Sequence, residues 1–433
     1  MPRSKHSSNT LSVSPAALRY RMPAEWEPHA ATWLAWPHYH GDWPGKFEPI
    51  PWVYTEIIRN LARHERVELI VNDARSERQA SKLLDRANAA LNNVLFHRWP
   101  TNRAWLRDSG CIFVVPAEPG FARPDSRGRL SPQENSMFRE DREGHDFSRA
   151  DKRQKKIGAS APEGLLATKF RFNAWAKYSN YRQDENIGTQ MANAAHSQQI
   201  RPQHRNTRVV LEGGSIDVNG CGTLLTTEEC LLSKVQQRNP SMSPKDYEKV
   251  FADYLGAPHV IWLGRGIFGD DTHGHVDDLT RFVAADTVVT MVENNPRDMN
   301  HKPLRDNLRR LRTARDQAGK PLNIVELPMP GPVAFERRRL PASYANFYIA
   351  NGIVLVPVFN DPNDRIALNT MAALFPTREV VPIYSGDLIW GLGTMHCMTQ
   401  QQPSQKQPSA ISRQPSAKAR LWKILPERKL AGE

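Results

Sequence analysis

The feature that most restricts the fold is an alternation of short strands and single helices that runs along most of the chain. "ATWLAWP" alternates apolar and polar residues and reads as a strand stopped at Pro37. "WVYTEIIRNLARH" carries apolar residues at helical spacing, and the strand "VELIV" (Val67–Val71) follows. The pattern continues through helix "SERQASKLLDRANAAL", strand "NVLFHRW" and "AWLRDSGCIFVV", which leads into another strand. "RVVLEGGSIDVNGCGTLLTT" reads as two strands joined at Asn219-Gly220, the strongest short hairpin signal. Then come helix "SPKDYEKVFADYL", strand "HVIWL", strand "DTVVTMV", helix "KPLRDNLRRLRTARDQA", strand "LNIVELP", "NFYIANGIVLVPVF", helix "DRIALNTMAALF" and strand "EVVPIYS". Two or three strands plus one helix thus recur about five times. The class is α/β, and the hairpin makes an all-parallel sheet unsuitable. Neither GxGxxG after a strand nor GxxxxGK[ST] occurs, so the nucleotide-binding α/β folds lack their fingerprint.

Residues 121–169 break the pattern with a charged stretch that has no periodicity, which reads as an insertion within the body. The charge balance agrees. Residues 1–22 hold 4 Lys/Arg and no acid, residues 121–169 hold 11 basic and 8 acidic, and residues 401–433 hold 7 and 2. These segments account for the whole formal charge of +12, and the remaining body is balanced at 36 of each sign. A nucleic-acid-binding fold puts its basic stripe on structured elements, so specific nucleic-acid binding is not expected. The organisation expected is a basic tail over 1–22, a single catalytic domain over 23–400 interrupted by the insertion at 121–168, and a second basic tail over 401–433. No apolar run approaches the roughly 20 residues that cross a bilayer. The four cysteines, Cys111, Cys221, Cys230 and Cys397, form no CxxC pair. With no signal-peptide core at the start, a reducing, cytoplasmic setting is the expectation.

Four polar segments sit where strands end. In "WLRDSG", Asp108 either opens a turn or sets a carboxylate beside the flat wall of Trp105, an arrangement suited to a planar cation. In "LEGGS", Glu212 follows an apolar run and either marks a simple turn or projects a carboxylate at a strand end. "THGHVDD" offers His273, His275, Asp277 and Asp278. It is a surface loop, a two-histidine and carboxylate metal site lacking further ligands, or an acid/base histidine with a carboxylate two residues on. "GTMHCMTQQQP" places Cys397 among polar neighbours, where an inert buried thiol would want apolar ones. Those neighbours suit a thiolate kept partly solvated, and Gly391 and Gly393 would let backbone approach a planar ligand. His396, on a strand, would point away from Cys397. A thiol, a histidine and several carboxylates together fit attack on a guanidinium, whose five N–H donors want carboxylate partners.

The stretches "MPAEWEPHAATWLAWP", "RDSG", "FNAWAKY", "LEGGSIDVNGCGTLLTTEECLLS", "GHVDD", "ASYANFYIANG" and "GTMHCMTQQQP" resemble the agmatine deiminase family, relatives of bacterial-type peptidylarginine deiminases in the guanidino-modifying superfamily. The likeness spans about residues 22–120 and 168–403. It implies a pentein fold, an α/β propeller of about five ββαβ units around a central active site. It also implies agmatine hydrolysis to N-carbamoylputrescine and ammonia, a step toward putrescine, with no metal or organic cofactor. By the same likeness Cys397 falls on the nucleophile, His275 on the acid/base, Asp277 and Asp108 on the guanidinium-binding carboxylates, and Trp105 on their hydrophobic neighbour. Glu212 becomes the candidate for the substrate's distal amine, and Gly393 stays the close-approach position. The partner implied is a small cationic guanidine, with no specific nucleic acid, no membrane, and a second copy of the chain as a candidate for a homodimer. Two departures flank the site: "GLGTMHC" stands where many members have "GGGNIHC", and His273 stands where an acid or amide is common. Peptidyl-arginine or free arginine as substrate, a pentein scaffold with impaired catalysis, and a zinc hydrolase built on His273, His275 and Asp277 are the competing readings.

Overall fold

The computed structural model describes residues 14–117 and 164–405. Most of the stretches read as tails and insertion lie outside the described residues. Their inner edges do not, and there the expected boundaries move. Tyr20–Arg21, inside the expected N-terminal tail, pairs antiparallel with Ile112–Pro116. Leu166–Thr168, inside the expected insertion, pairs with the same strand. Gln401, Gln402 and Pro403 belong to the strand Thr399–Pro403, which pairs with His29–Ala35. Each edge is drawn inward by burial: Tyr20 is 2% exposed and Leu166 1%.

Among the described residues five sheets share one plan: an antiparallel pair, a helical crossover, then a strand parallel to the second. The first unit joins Thr399–Pro403 to His29–Ala35, crosses by helix Ile50–Leu61 to Arg66–Val71, and adds Val94–Arg98 after a second helix. The second comprises Ile112–Pro116, Leu166–Thr168, helix Arg182–Ala194 and Gln198–Ile200. The third comprises Asp217–Val218, Thr223–Thr227, helix Pro244–Leu255 and His259–Leu263. The fourth comprises Thr280–Ala284, Thr287–Val292, helix His301–Thr313 and Asn323–Pro328. The fifth comprises Tyr348–Ala350, Ile353–Val358, helix Asn363–Leu374 and Glu379–Tyr384. The architecture is mixed α/β.

Local chemistry sets these elements. In the third unit Asn219 and Gly220 (φ 70°) turn the chain and put Val218 opposite Leu224. The following helix begins at a capping box, Ser243 with Asp246, has Pro244 in its first turn, and ends at left-handed Gly256. Tyr247, Val250, Phe251 and Leu255 share its buried face. Two helices are shorter than their patterns suggest. The one read through Leu91 ends at Arg86, before left-handed Asn88, and the one read to Ala318 ends at Thr313, before extended Ala314.

Just before the first strand of each unit the chain makes one short helical turn. These are Leu106–Ser109, Gly213–Ser215, Val276–Asp278, Tyr344–Asn346 and Met395–Met398. Each touches the next in that order, and the last touches the first, so the five turns form a ring.

Glu25 ties the units together. Its Oε2 lies 3.2 Å from Arg107 Nη2 and 2.9 Å from His396 Nε2. Its Oε1 lies 3.0 Å from Arg281 Nη2 and accepts from the Ile349 N–H at 2.8 Å. Arg281, wholly buried, also reaches Asp217 at 3.2 Å and donates to the Phe347 carbonyl. Every unit thus contributes a partner to one carboxylate or to its arginine. Burial opposes the charge on Glu25, but Arg281, His396 and Arg107 outweigh it and hold the carboxyl well below the usual range. Removing one member of such a set strands buried charge at a cost of about 3–5 kcal/mol. Glu25→Gln is therefore expected to lower unfolding free energy by about that much in urea titrations. Glu77→Gln, which breaks an exposed pair with Arg98, should leave it nearly unchanged.

Candidate active site

Cys397 lies in the turn Met395–Met398, not on a strand. The local helix removes the alternation that would have turned His396 away. The His396 ring instead lies beneath the site, with Nδ1 2.7 Å from Asp277 Oδ2 and Nε2 on Glu25. The polar neighbours do not keep the thiol solvated either: Cys397 is 7% exposed and all three glutamines are buried in the strand that follows. Two of them meet partners there. Gln401 Oε1 accepts from Arg107 Nη1 at 2.6 Å, and Gln402 Oε1 from Trp33 Nε1 at 3.0 Å.

The ring of turns carries the candidate residues to one place. Asp277 Oδ2 is 3.7 Å from Cys397 Sγ, and its Oδ1 is 3.9 Å from His275 Nδ1. Asp108 Oδ2 lies 3.9 Å from His275 Nδ1, and Glu212 Oε2 lies 3.6 Å from His275 Nε2. These are ion-pair distances, so neither buried ring nitrogen of His275 makes a hydrogen bond among the described residues. The convergence requires Gly214, whose N–H donates to Asp108 Oδ1 at 2.9 Å. A Cβ there would stand 2.5 Å from His275 Nδ1 and 3.0 Å from oxygens of both Asp108 and Asp277. Gly393 is equally confined, since its Cβ would meet Trp105 Cζ3 at 2.9 Å and Cys397 Sγ at 3.1 Å.

Glu212 is not placed for a substrate's distal amine. It is fully buried, both its oxygens accept from Arg238 Nε at 3.2 and 3.3 Å, and Oε2 also faces His275. The site also gains a second aromatic wall that had been assigned no role. Ala174, Trp175 and Ala176 all have positive φ, a left-handed turn costing roughly 1–2 kcal/mol per residue. Asn173 caps it, and it aims Trp175 Nε1 at Asp108 Oδ2, 2.8 Å away. Trp105 Nε1 donates to Asp42 Oδ2 at 3.1 Å.

Charge in the site is finely divided. Burial raises Asp108; His275 opposes, and Asp277 and Glu212 add to the rise. Asp277 is held low, because the hydrogen bond and charge of His396 overcome its burial. Asp278 is pushed well above the carboxylate range by burial and by Asp277 and Asp270. For His275 burial would favour the neutral ring, yet Asp108, Cys230 and Glu212 hold its value well above the usual one. The Cys397 thiol is pushed well above its ordinary value by burial, Asp277, Asp278 and Asp108. The carboxylate-rich site disfavours the thiolate until a cation joins it.

A cavity of about 390 Å³ reaches this group, with Trp105, Asp108, Trp175, Gly393 and Cys397 in its lining. Leu392, left-handed at φ 72°, lines it as well. A larger cleft of about 640 Å³ around Glu293 and Pro330 holds no nucleophile. Ligand-type atoms of Glu212, Cys230 and His275, and of Asp277, Asp278 and Cys397, approach within 4.8 Å of one another. Arg238 already neutralises Glu212 in the first group, and the Asn346 amide already engages Cys397 and Asp278 in the second. His273 joins neither; its ring meets Ser233 Oγ at 3.0 Å, so the histidine pair needed for a zinc hydrolase is not assembled.

Comparison with known proteins shows the family. The family model for the Porphyromonas-type peptidyl-arginine deiminase matches residues 21–403, and the chain belongs to that family. It is similar to the agmatine deiminase of Pseudomonas syringae pv. tomato, at 31% identity over 91% of this chain and 98% of the relative. Among solved structures it is similar to the agmatine deiminase of Enterococcus faecalis, with TM-score 0.74, 26% identity, and coverage of 92% of this chain and 100% of that one. A putative arginine deiminase from Porphyromonas gingivalis matches with TM-score 0.71 and 28% identity over 90% of this chain and 100% of that one.

Gly214→Ala tests the packing of the site. Overpacking should lower stability by about 1–3 kcal/mol. It should also displace His275 from Asp108, so that the His275 resonance titrates nearer an ordinary imidazole by NMR.

Proposed function

We propose that the protein is a cysteine-dependent deiminase that hydrolyses agmatine to N-carbamoylputrescine and ammonia. The observation that carries this reading is the Cys397 thiol and the His275 imidazole set among the buried carboxylates of Asp108, Asp277 and Glu212, with Trp105 and Trp175 lining the cavity that reaches them. Such a site fits a flat cation. Asp108 and Asp277 would accept guanidinium N–H bonds while Trp105 and Trp175 flank its plane. The arriving charge offsets the carboxylates that oppose ionisation of Cys397, and the thiol proton leaves to solvent, where the released ammonia takes it up. The sulfur then adds to the guanidinium carbon, His275 gives its proton to the departing nitrogen, and the C–N bond breaks to release ammonia. Water, losing a proton to the same imidazole, adds to the resulting thiouronium. Cleavage of the C–S bond frees the urea product and restores the thiol. Glu212, with Arg238 behind it, orients His275 and keeps it charged.

The ring of five turns supports reading the five sheets as blades of a pentein-type propeller around this site, within one catalytic unit extending from about residue 20 to residue 403. The agmatine deiminases named above favour agmatine as substrate. Free arginine is kept as a second reading by one observation: Arg103, Lys177 and Arg338 line the cavity beside their partners Asp42 and Asp271 and would suit its α-carboxylate.

Ammonia release from agmatine, arginine and a peptidyl-arginine should favour agmatine, vanish in Cys397→Ala, and be indifferent to chelators. Turnover of none of the three by folded protein would sink the proposal. A pH profile tests Glu212. The first step needs His275 protonated, so the alkaline limb of kcat/KM follows loss of that proton. Glu212→Gln removes one group that holds the proton on, and the limb should move to lower pH. A limb that stays put removes Glu212 from this role.

A further inference from the structure

The nucleophile's surroundings contain one group that none of this chemistry has used. Asn346 ends the turn Tyr344–Asn346 and is 1% exposed. Its Oδ1 accepts from Thr394 Oγ1 at 2.8 Å and from the backbone N–H groups of Thr394 at 3.2 Å and Cys397 at 3.4 Å. Three donors on the oxygen fix which way the amide faces. The opposite orientation would set N–H against N–H and oxygen against the Asp278 carboxyl. The two hydrogens of Nδ2 are thereby aimed at Cys397 Sγ, 3.1 Å away, and at Asp278 Oδ1, 3.0 Å away. Among the described residues no other side chain donates to that sulfur.

We propose that Asn346 is a catalytic residue whose amide donates a hydrogen bond to the Cys397 sulfur, stabilising the thiolate and fixing the line along which it attacks. This rests on Cys397 being the nucleophile.

The need for such a donor follows from what else faces the sulfur. Asp277 and Asp108 oppose a negative charge there, and Asp278 adds to them only when it is ionised. The imidazoles nearby already face carboxylates: His275 faces Asp108, Asp277 and Glu212, and His396 faces Asp277 and Glu25. A neutral N–H donor can support the thiolate without drawing those carboxylates away from a guanidinium. The second N–H, on Asp278, holds the amide so that its first hydrogen cannot swing from the sulfur. Thr394, one of the two departures in sequence, supplies the hydroxyl that locks the other end.

The test is the pH dependence of Cys397 alkylation by iodoacetamide, followed by mass spectrometry of the full chain in wild type, Asn346→Ala, Asn346→Asp and Thr394→Val. A hydrogen bond to a charged group predicts a loss of about tenfold to a hundredfold in alkylation at neutral pH for Asn346→Ala. The midpoint should move upward, further still for Asn346→Asp, which replaces the donor by a carboxylate. Thr394→Val retains the donor but frees the amide, so it should shift the midpoint the same way by less. Circular dichroism confirms folding, and if Asn346→Ala does not fold the Thr394→Val result decides. Midpoints equal to wild type in folded variants overturn the proposal. Undiminished agmatine turnover by Cys397→Ala would instead overturn the nucleophile assignment, so the two failures are distinguishable.

Discussion

The structure depends on burying charge without leaving any of it alone. Glu25 is the centre of that constraint, since its two oxygens meet Arg107, His396 and Arg281, and Arg281 carries the connection on to Asp217. An unpaired carboxylate at that depth would cost several kcal/mol, more than burial of a leucine side chain returns. The partners come from all five units, so the units must be in register before the charges are met. His396 extends the same network upward into the site, since its other nitrogen holds Asp277. The scaffold and the guanidinium-binding face are thus two ends of one chain of ion pairs.

Much of the fold was legible in sequence because it is locally encoded. The Asn219-Gly220 turn, the capping box at Ser243 and the β-branched runs act within a few residues, and they yielded the repeated unit and the mixed α/β class. The candidate residues Asp108, His275, Asp277 and Cys397 were singled out for a different reason, as polar groups beside strands in stretches that resemble the agmatine deiminase family. What failed was whatever a distant partner decides. The glutamines after Cys397 looked solvated because Arg107 and Trp33 lie 294 and 369 residues away in sequence. Glu212 looked available until Arg238 claimed it. His396 was assigned by strand alternation to a segment that a single helical turn occupies. The boundaries at 22, 168 and 400 were drawn from composition, which does not register that a short polar strand can be stabilised by the edge it joins.

The placement of the site at the turns, rather than in the strands, has a geometric reason. A turn before each first strand exposes backbone N–H groups and short side chains toward the neighbouring turn, while the strand behind it is fixed by its ladder. Gly214 shows how close the fit is, because a single methyl group there would reach His275, Asp108 and Asp277 together. The left-handed turn around Trp175 shows the complementary device, local strain spent on holding an indole against Asp108.

The pairing of Thr399–Pro403 with His29–Ala35 has a consequence for how the molecule comes into being. The first sheet is left open along its inner edge throughout synthesis and closes only when the segment carrying Cys397 emerges. The nucleophile and the closing strand arrive together, so a nascent or prematurely ended chain has neither. Closing of the first sheet must therefore wait on a contact spanning nearly the entire body, and non-local pairing of that kind slows folding.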